Sequence, residues 1–291
     1  MTENAWQRWG ADDERGSLNL IGPDQVRRAS ALVCTGEVVR LAQLLSSKTP
    51  VPSHRSGLQH FMGRDGGDYA AGAKRPGGFQ FAEDSVVMPL HIGTHIDALC
   101  HAWCDDQMYN GFHGDMVRST TGAVRLGVEK MPPIVTRGVL LDLVRLKGRV
   151  LVPGEIVSAA DLEAAAVAAG VVVGPGDAVL LRTGWLESQK GVKQPSFDTE
   201  PGIDVEAAMW LVARDVAMVG ADNFAIEVMP FPAGQVFPVH QRLIRDYGMP
   251  LLEGLMLDAL VASGRHEFLF MASALPIVGA TGSPLAPVAV L

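Results

Sequence analysis

The chain has 291 residues, 48% of them hydrophobic and 19% charged, the composition of an ordinary globular protein with ample material for a buried core. Its formal net charge of −8, with no run of Lys or Arg, argues against non-specific nucleic-acid binding and against an anionic membrane surface. No apolar stretch reaches the roughly 18 residues needed to span a bilayer.

The opening MTENAWQRWGADDERG is polar and acidic and lacks the basic start and apolar middle of a secretory signal, so the expected compartment is the cytoplasm. An apolar run at 37–42 predicts the first strand. The segment 56–80 is rich in Gly and charge and has no period; it reads as a long loop, either a surface excursion or a lid that would bring His60 and Arg64 to a site. Further short apolar runs bounded by turn residues predict strands at 85–92, 138–143, 177–183, 216–222 and 267–273. A helix over 158–170 opens with Ser158 and Asp161 in capping-box spacing and closes at Gly170. Another begins at the N-cap Asp204, with Ala208, Leu211 and Val212 at helical spacing, and a third runs from His240 to Gly248. Strands and helices mix in the α/β manner, and no linker divides them, so residues 1–291 read as one domain.

The three cysteines, Cys34, Cys100 and Cys104, are too few and too odd in number for a disulfide framework. Cys100 and Cys104 flank His101, but a C-x3-C pair without a second pair reads as small buried hydrophobes rather than zinc ligands.

The segment PLHIGTHIDALCHAW, 89–103, holds three of the eight histidines and one aspartate among apolar residues. Leaving so many polar groups buried without partners would cost roughly a few kcal/mol each. The imidazoles of His91, His95 and His101 and the carboxylate of Asp97 are the donor types that Zn2+ or Mn2+ selects. A regular helix would turn Asp97 about 240° away from His91, at ~100° per residue. A straight strand would hold His91 and His95 about 13 Å apart, at ~3.3 Å per residue. The chain must therefore bend between them, and Gly93 supplies the freedom. The expectation is a strand arriving at His91, a bend at Gly93, and a loop or helix start carrying His95 and Asp97.

HIGTHIDALCH resembles the signature H-x-G-T-H-x-D-x-P-x-H of the metal-dependent cyclase-like hydrolases, the family of bacterial kynurenine formamidase and isatin hydrolase. The matching residues are His91, Gly93, Thr94, His95, Asp97 and His101, with Leu99 where the family has proline, a change that bears on loop shape more than on metal binding. VFPVHQRLIRDYGMPLLEGL, GPGDAVLLRTGW and VGADNFAIEV, the last containing Asp222 and Glu227, resemble further family blocks, so the similarity spans most of the chain from about Ser85. The N-terminal WGADDERGSLNLI is similar to the longer members.

The resemblance implies a swivelling β/β/α domain with a central mixed or barrel-like sheet flanked by helices. It implies His91, His95 and Asp97 as ligands of a first divalent ion, Mn2+ or Zn2+, and His101 as the proton carrier. His240 and Glu253 would complete a second metal site or, with one ion only, orient water or substrate, and the chain would form a homodimer or homotetramer. The implied activity is hydrolysis of an amide-like bond in a small molecule: an N-formyl amide, a lactam or a cyclic imide. Trp103, Phe112 and Trp185 are candidates to line its pocket, with His60 reaching in from the lid; His54, His113 and His266 read as surface or packing residues. A metal-dependent cyclase or dehydratase is the competing enzymatic reading, and a closed-shell metal store the non-enzymatic one. A serine hydrolase has no support, because no G-x-S-x-G occurs.

Overall fold

In the computed structural model, which describes residues 4–73, 75–192, 195 and 197–291, nine strands form one mixed sheet. Their order is Val38–Arg40, Val288–Val290, Glu267–Ala272, Ile134–Asp142, Ala178–Arg182, Met218–Ala221, Leu251–Glu253, His95–Asp97 and Gly282–Pro284. The four strands from Ile134–Asp142 to Leu251–Glu253 run parallel, and the strands flanking them on both sides are antiparallel. Central parallel strands are covered on both faces, which explains why they read as continuous apolar runs. Val139, Leu140 and Leu141, Ala178 to Leu181, and Met218 and Val219 are all buried.

The sheet curls into a half-barrel flanked by helices, as the family resemblance implied. Helices Pro23–Ser30 and Ala159–Ala169 pack against the strand Ile134–Asp142, and Val205–Val212 packs on Ala159–Ala169. Both helices anticipated at 158–170 and from Asp204 form for the anticipated reason. The Ser158 hydroxyl accepts the Asp161 N–H while the Asp161 carboxylate accepts the Ser158 N–H, and Gly170 ends the helix at φ +68°. Asp204 caps the Ala207 N–H at 2.8 Å. Leu162, Ala165 and Ala166 turn inward, and burying the leucine alone is worth about 2 kcal/mol.

Three expectations need correction. The strand placed at 85–92 is Glu83–Val87, and it lies outside the large sheet, pairing with Gln59–Arg64 in a hairpin. The loop placed at 56–80 therefore contains a strand, followed by a short helix Gly66–Ala70 whose N-cap Asp65 accepts the Gly67 N–H. This hairpin is exposed on both faces, so it carries no alternation for a sequence to display. Of the segments read above, Lys74 in this stretch and residues 1–3 of the N-terminus lie outside the described residues. The third correction concerns the helix read from His240. It starts at Pro238 and continues as a π-helix over Gln241–Asp246, then ends as anticipated at Gly248, φ +63°. No helix among the described residues is long and apolar enough to cross a membrane.

Candidate metal centre

The bend at Gly93 is present, with φ +57°, but it leads into a strand rather than a loop or helix start. His95 and Asp97 alternate in His95–Asp97 and so share a face. Glu253 is the direct cross-strand partner of His95, in the last parallel strand before the sheet turns antiparallel. Thr94 locks this junction: its hydroxyl donates to the Gly254 carbonyl at 2.7 Å and accepts the Gln43 N–H at 2.9 Å. A Cβ on Gly254 would stand 2.5 Å from the Gly93 carbonyl oxygen, so the close approach of the two bends requires glycine.

The other members arrive from separate stretches. His91 precedes the bend; its Nδ1 lies 2.7 Å from Asp97 Oδ1 and its Nε2 3.1 Å from Thr281 Oγ1. Gly282 leaves room for that ring, since a Cβ there would meet His91 Cε1 at 2.6 Å. His101 follows a turn closed by its N–H on the Ala98 carbonyl, and its ring stacks on His91 with centroids 4.1 Å apart. Leu99, in the family's proline position, is buried in the core at this turn. His240 comes from the opening of its helix, where Phe237 adopts φ +48°, an uncommon conformation for a bulky residue, and sets its ring 4.8 Å from the His240 ring.

The imidazoles are oriented by hydrogen bonds on the far side of the ring. His95 Nδ1 faces the Gly93 carbonyl at 3.0 Å, which leaves Nε2 toward Glu253 Oε2 at 3.1 Å. His240 Nδ1 lies 2.5 Å from Glu227 Oε1, which leaves Nε2 toward Glu253 Oε1 at 3.4 Å and Asp97 Oδ2 at 3.7 Å. Glu227 is itself fully buried and also accepts the backbone N–H groups of Val239 and His240. Such carboxylate–imidazole pairs are the usual means of aiming a metal-ligating nitrogen.

Two carboxylate oxygens at the middle of the cluster, Asp97 Oδ2 and Glu253 Oε1, are buried with no hydrogen-bond partner among the described residues. The nearest imidazole nitrogens face these atoms without hydrogen-bonding them: His240 Nε2 is 3.4 Å from Glu253 Oε1 and 3.7 Å from Asp97 Oδ2, and His101 Nε2 is 3.8 Å from Asp97 Oδ2. Ligands ~2.1 Å from one tetrahedral ion lie about 3.4 Å from each other, so these spacings suit donors that share a cation. Ligating atoms of His91, Asp97 and His101 fall within 4.8 Å of one another, as do those of Asp97, His240 and Glu253. Asp97 belongs to both groups. The two triads thus meet at Asp97, and His95 Nε2 lies between them, 3.8 Å from Asp97 Oδ1 and 3.1 Å from Glu253 Oε2.

Burial and the facing groups set the protonation of the cluster. Burial alone would raise the Asp97 carboxyl, yet the facing imidazoles of His101, His91 and His95 hold it far below the ordinary carboxylate range. Burial would also raise Glu253, but His240 and His95 bring it below its usual value. Burial would lower His240, yet Glu227 and Glu253 push it up to about 10. Burial pushes His101 down to about 4. The buried carboxylates thus favour positive charge at His95 and His240, while His101 stays neutral.

Two cavities lie beside the cluster. One, of about 680 Å³, is walled by Phe197, Phe224, Phe231 and Phe237; the other, of about 190 Å³, lies against Trp185, Phe197, Phe224 and Gly93. Trp185 thus borders the smaller cavity. Trp103 and Phe112 do not line either cavity: Trp103 covers Gly114, and Phe112 packs against the core beneath the Arg125 guanidinium. His60 sits on the exposed hairpin and pairs with Asp84 at 2.6 Å, and Arg64 lies over Phe81. Exposed His113 pairs with Asp115, and His266 meets the Leu140 carbonyl. His54 lines the larger cavity. Asp222 accepts the N–H groups of Thr183 and Gly184 and serves the chain turn there. Cys100 is buried, and no cysteine belongs to either ligand group. The residues that sequence reasoning underrated are Glu227 and Arg55. Each sits in a stretch without period, and only the fold brings them to His240 and His91.

No curated protein matches the chain. Among solved structures, a novel cyclase is 38% identical, with a TM-score of 0.92 over 99% of this chain and 97% of that one. Isatin hydrolase A from Ralstonia solanacearum is 23% identical, with a TM-score of 0.63 over 87% of this chain and 91% of that one. A potential metal-dependent hydrolase with cyclase activity is 20% identical, with a TM-score of 0.58 over 87% and 98%. The last two likenesses concern the fold. The Cyclase family matches residues 39–228, more than half of the length, and the chain belongs to that family.

Proposed function

We propose that the chain is a metal-dependent hydrolase that cleaves an amide-like C–N bond in an N-formyl amide, a lactam such as isatin, or a cyclic imide. The observation that carries this reading is the pair of buried, unpartnered oxygens Asp97 Oδ2 and Glu253 Oε1 at the meeting point of the two triads. His91, His95, Asp97, His240 and Glu253 would hold one or two Mn2+ or Zn2+ ions. Such an ion supplies Lewis acidity, lowering the pKa of water toward ~7 and polarising a carbonyl.

The chain's own groups do the rest. Glu227 fixes the tautomer of His240, and the Gly93 carbonyl fixes that of His95. Phe224 and Phe237 lie against the rings of His95 and His240 and keep water from those faces. We assign the proton to His101, whose side chain is 28% exposed against 1% for His95 and 5% for His240. Its neutral ring takes a proton at Nε2 from attacking water and returns it to the leaving nitrogen. Fold-level likeness to an isatin hydrolase supports the choice of bond.

The test is a panel of N-formyl amines, lactams and imides offered to the metal-loaded protein, with Asp97→Asn as the control that should turn over none of them. The relative described as a cyclase favours a second reading, a cyclase or dehydratase on a hydroxy-carbonyl substrate. Reaction in heavy-oxygen water separates the two, because only hydrolysis labels the product acid. A homodimer or homotetramer in the cytoplasm remains part of the proposal.

A further inference from the structure

We infer that Arg55 forms an anion subsite at the edge of the metal centre, so that the molecules this chain accepts carry a carboxylate beside an apolar, ring-sized body. The cavity of about 680 Å³ is of small-molecule size, and four phenylalanines wall it. It is joined to the cluster at three points. Phe224 lies 5.8 Å from the His95 ring, Phe237 lies 4.8 Å from the His240 ring, and Arg55 Nη1 donates to the His91 carbonyl at 2.7 Å. Arg55 also spreads its guanidinium over Phe224, 5.4 Å from the ring centre.

These two contacts tether the guanidinium at the cavity wall and engage one of its nitrogens. Nε and Nη2 make no hydrogen bond among the described residues, and the side chain is half-buried on the cavity wall. A pre-oriented guanidinium edge matches a carboxylate with two parallel hydrogen bonds, and the apolar walls around it strengthen the pairing. Exposed His54 and Asp198 also line the cavity; Asp198 has an interaction of its own, and neither touches the cluster segment as Arg55 does. A ligand held by its carboxylate at Arg55 would lay its body on Phe224, the ring that abuts His95.

For its place in catalysis this rests on the hydrolytic reading above; as a binding site it stands apart from it, and the experiment keeps the two separate. Benzoate and benzamide, equal in shape and different in charge, are titrated calorimetrically into wild type, Arg55→Gln and Arg55→Lys, each metal-stripped and metal-loaded. The expected result is benzoate binding about tenfold or more tighter than benzamide in both metal states. Arg55→Gln should remove that preference and leave benzamide binding within about twofold, while Arg55→Lys, which keeps the charge and loses the fork, should fall between. Equal binding of the two ligands to wild type would overturn the subsite. So would a preference that survives Arg55→Gln, or one present only in the loaded protein, which places the carboxylate on the ion. If Arg55→Gln fails to fold, as its melting curve would reveal, Arg55→Lys decides: an unchanged preference overturns the fork. Turnover of N-formylanthranilate against formanilide then reads the hydrolytic reading separately. Failure of both substrates counts against hydrolysis, and the binding comparison alone decides the subsite.

Discussion

The metal cluster and the hairpin Gln59–Arg64/Glu83–Val87 both invert the usual sorting of residues, in opposite directions. The cluster buries Asp97, Glu227, Glu253, His95 and His240. The hairpin leaves Phe61, Met62, Val86 and Val87 in solvent, each about half exposed. Burial of charge survives because most polar atoms of the cluster have a partner, and the two without one both face His240 Nε2. The hairpin's apolar side chains stay exposed among the described residues, and exposed apolar patches are in general a feature of interaction surfaces. The buried inversion is thus pinned by the fold, whereas the exposed one is not.

That contrast can be broken by substitution. The largest effect is expected from His95→Ala, which removes a ligand and strands Glu253 without its nearest partner; metal content and hydrolysis should both fall to background, read by elemental analysis and product formation. Hydrolysis that survives would sink the assignment. Next comes Glu227→Gln, which keeps the shape but loses the carboxylate that orients His240. We expect metal affinity to weaken roughly 10–100-fold by chelator competition, with the fold intact. Charging the hairpin with Phe61→Lys and Val87→Lys should shift oligomers toward monomer by light scattering without altering metal content; loss of metal instead would erase the separation between the two regions.

The smallest effect belongs to neither region. Ser158→Ala removes an N-cap and should cost about 1 kcal/mol in denaturant melts, leaving metal and assembly unchanged. Burial would raise the neighbouring Asp161 carboxyl, but Lys147 and Ser158 hold it below its usual value. A depressed folded pKa contributes stability above the unfolded value and loses it as the pH falls through the carboxylate range. Asp161→Asn should therefore cost less near pH 3 than at pH 7, both read by the same melts.

Sequence reading reached the parts of the molecule where local chemistry decides structure. Ser158, Asp161 and Gly170 announce a helix because caps act within a few residues, and the parallel strands announce themselves by unbroken apolar runs. The bend at Gly93 followed from the geometry that a shared ion demands. It could not reach the strand His95–Asp97, three residues long, because its pairing with Leu251–Glu253 and Gly282–Pro284 is set by sequence separations that leave no local pattern. Glu227 and Arg55 were out of reach for the same reason: their roles lie in contacts with His240 and the His91 carbonyl, not in their neighbours along the chain. The hairpin around His60 was out of reach because a Gly-rich, aperiodic segment reads as a loop whether or not it pairs.

The most direct test of the centre is metal titration of the stripped protein, wild type beside Asp97→Asn, followed by calorimetry and confirmed by elemental analysis after gel filtration. Because Asp97 belongs to both triads, wild type should bind one or two equivalents of Mn2+ or Zn2+ and the variant should bind none at either position. A wild-type chain that takes up no divalent ion, or a variant that binds as wild type does, would contradict the account.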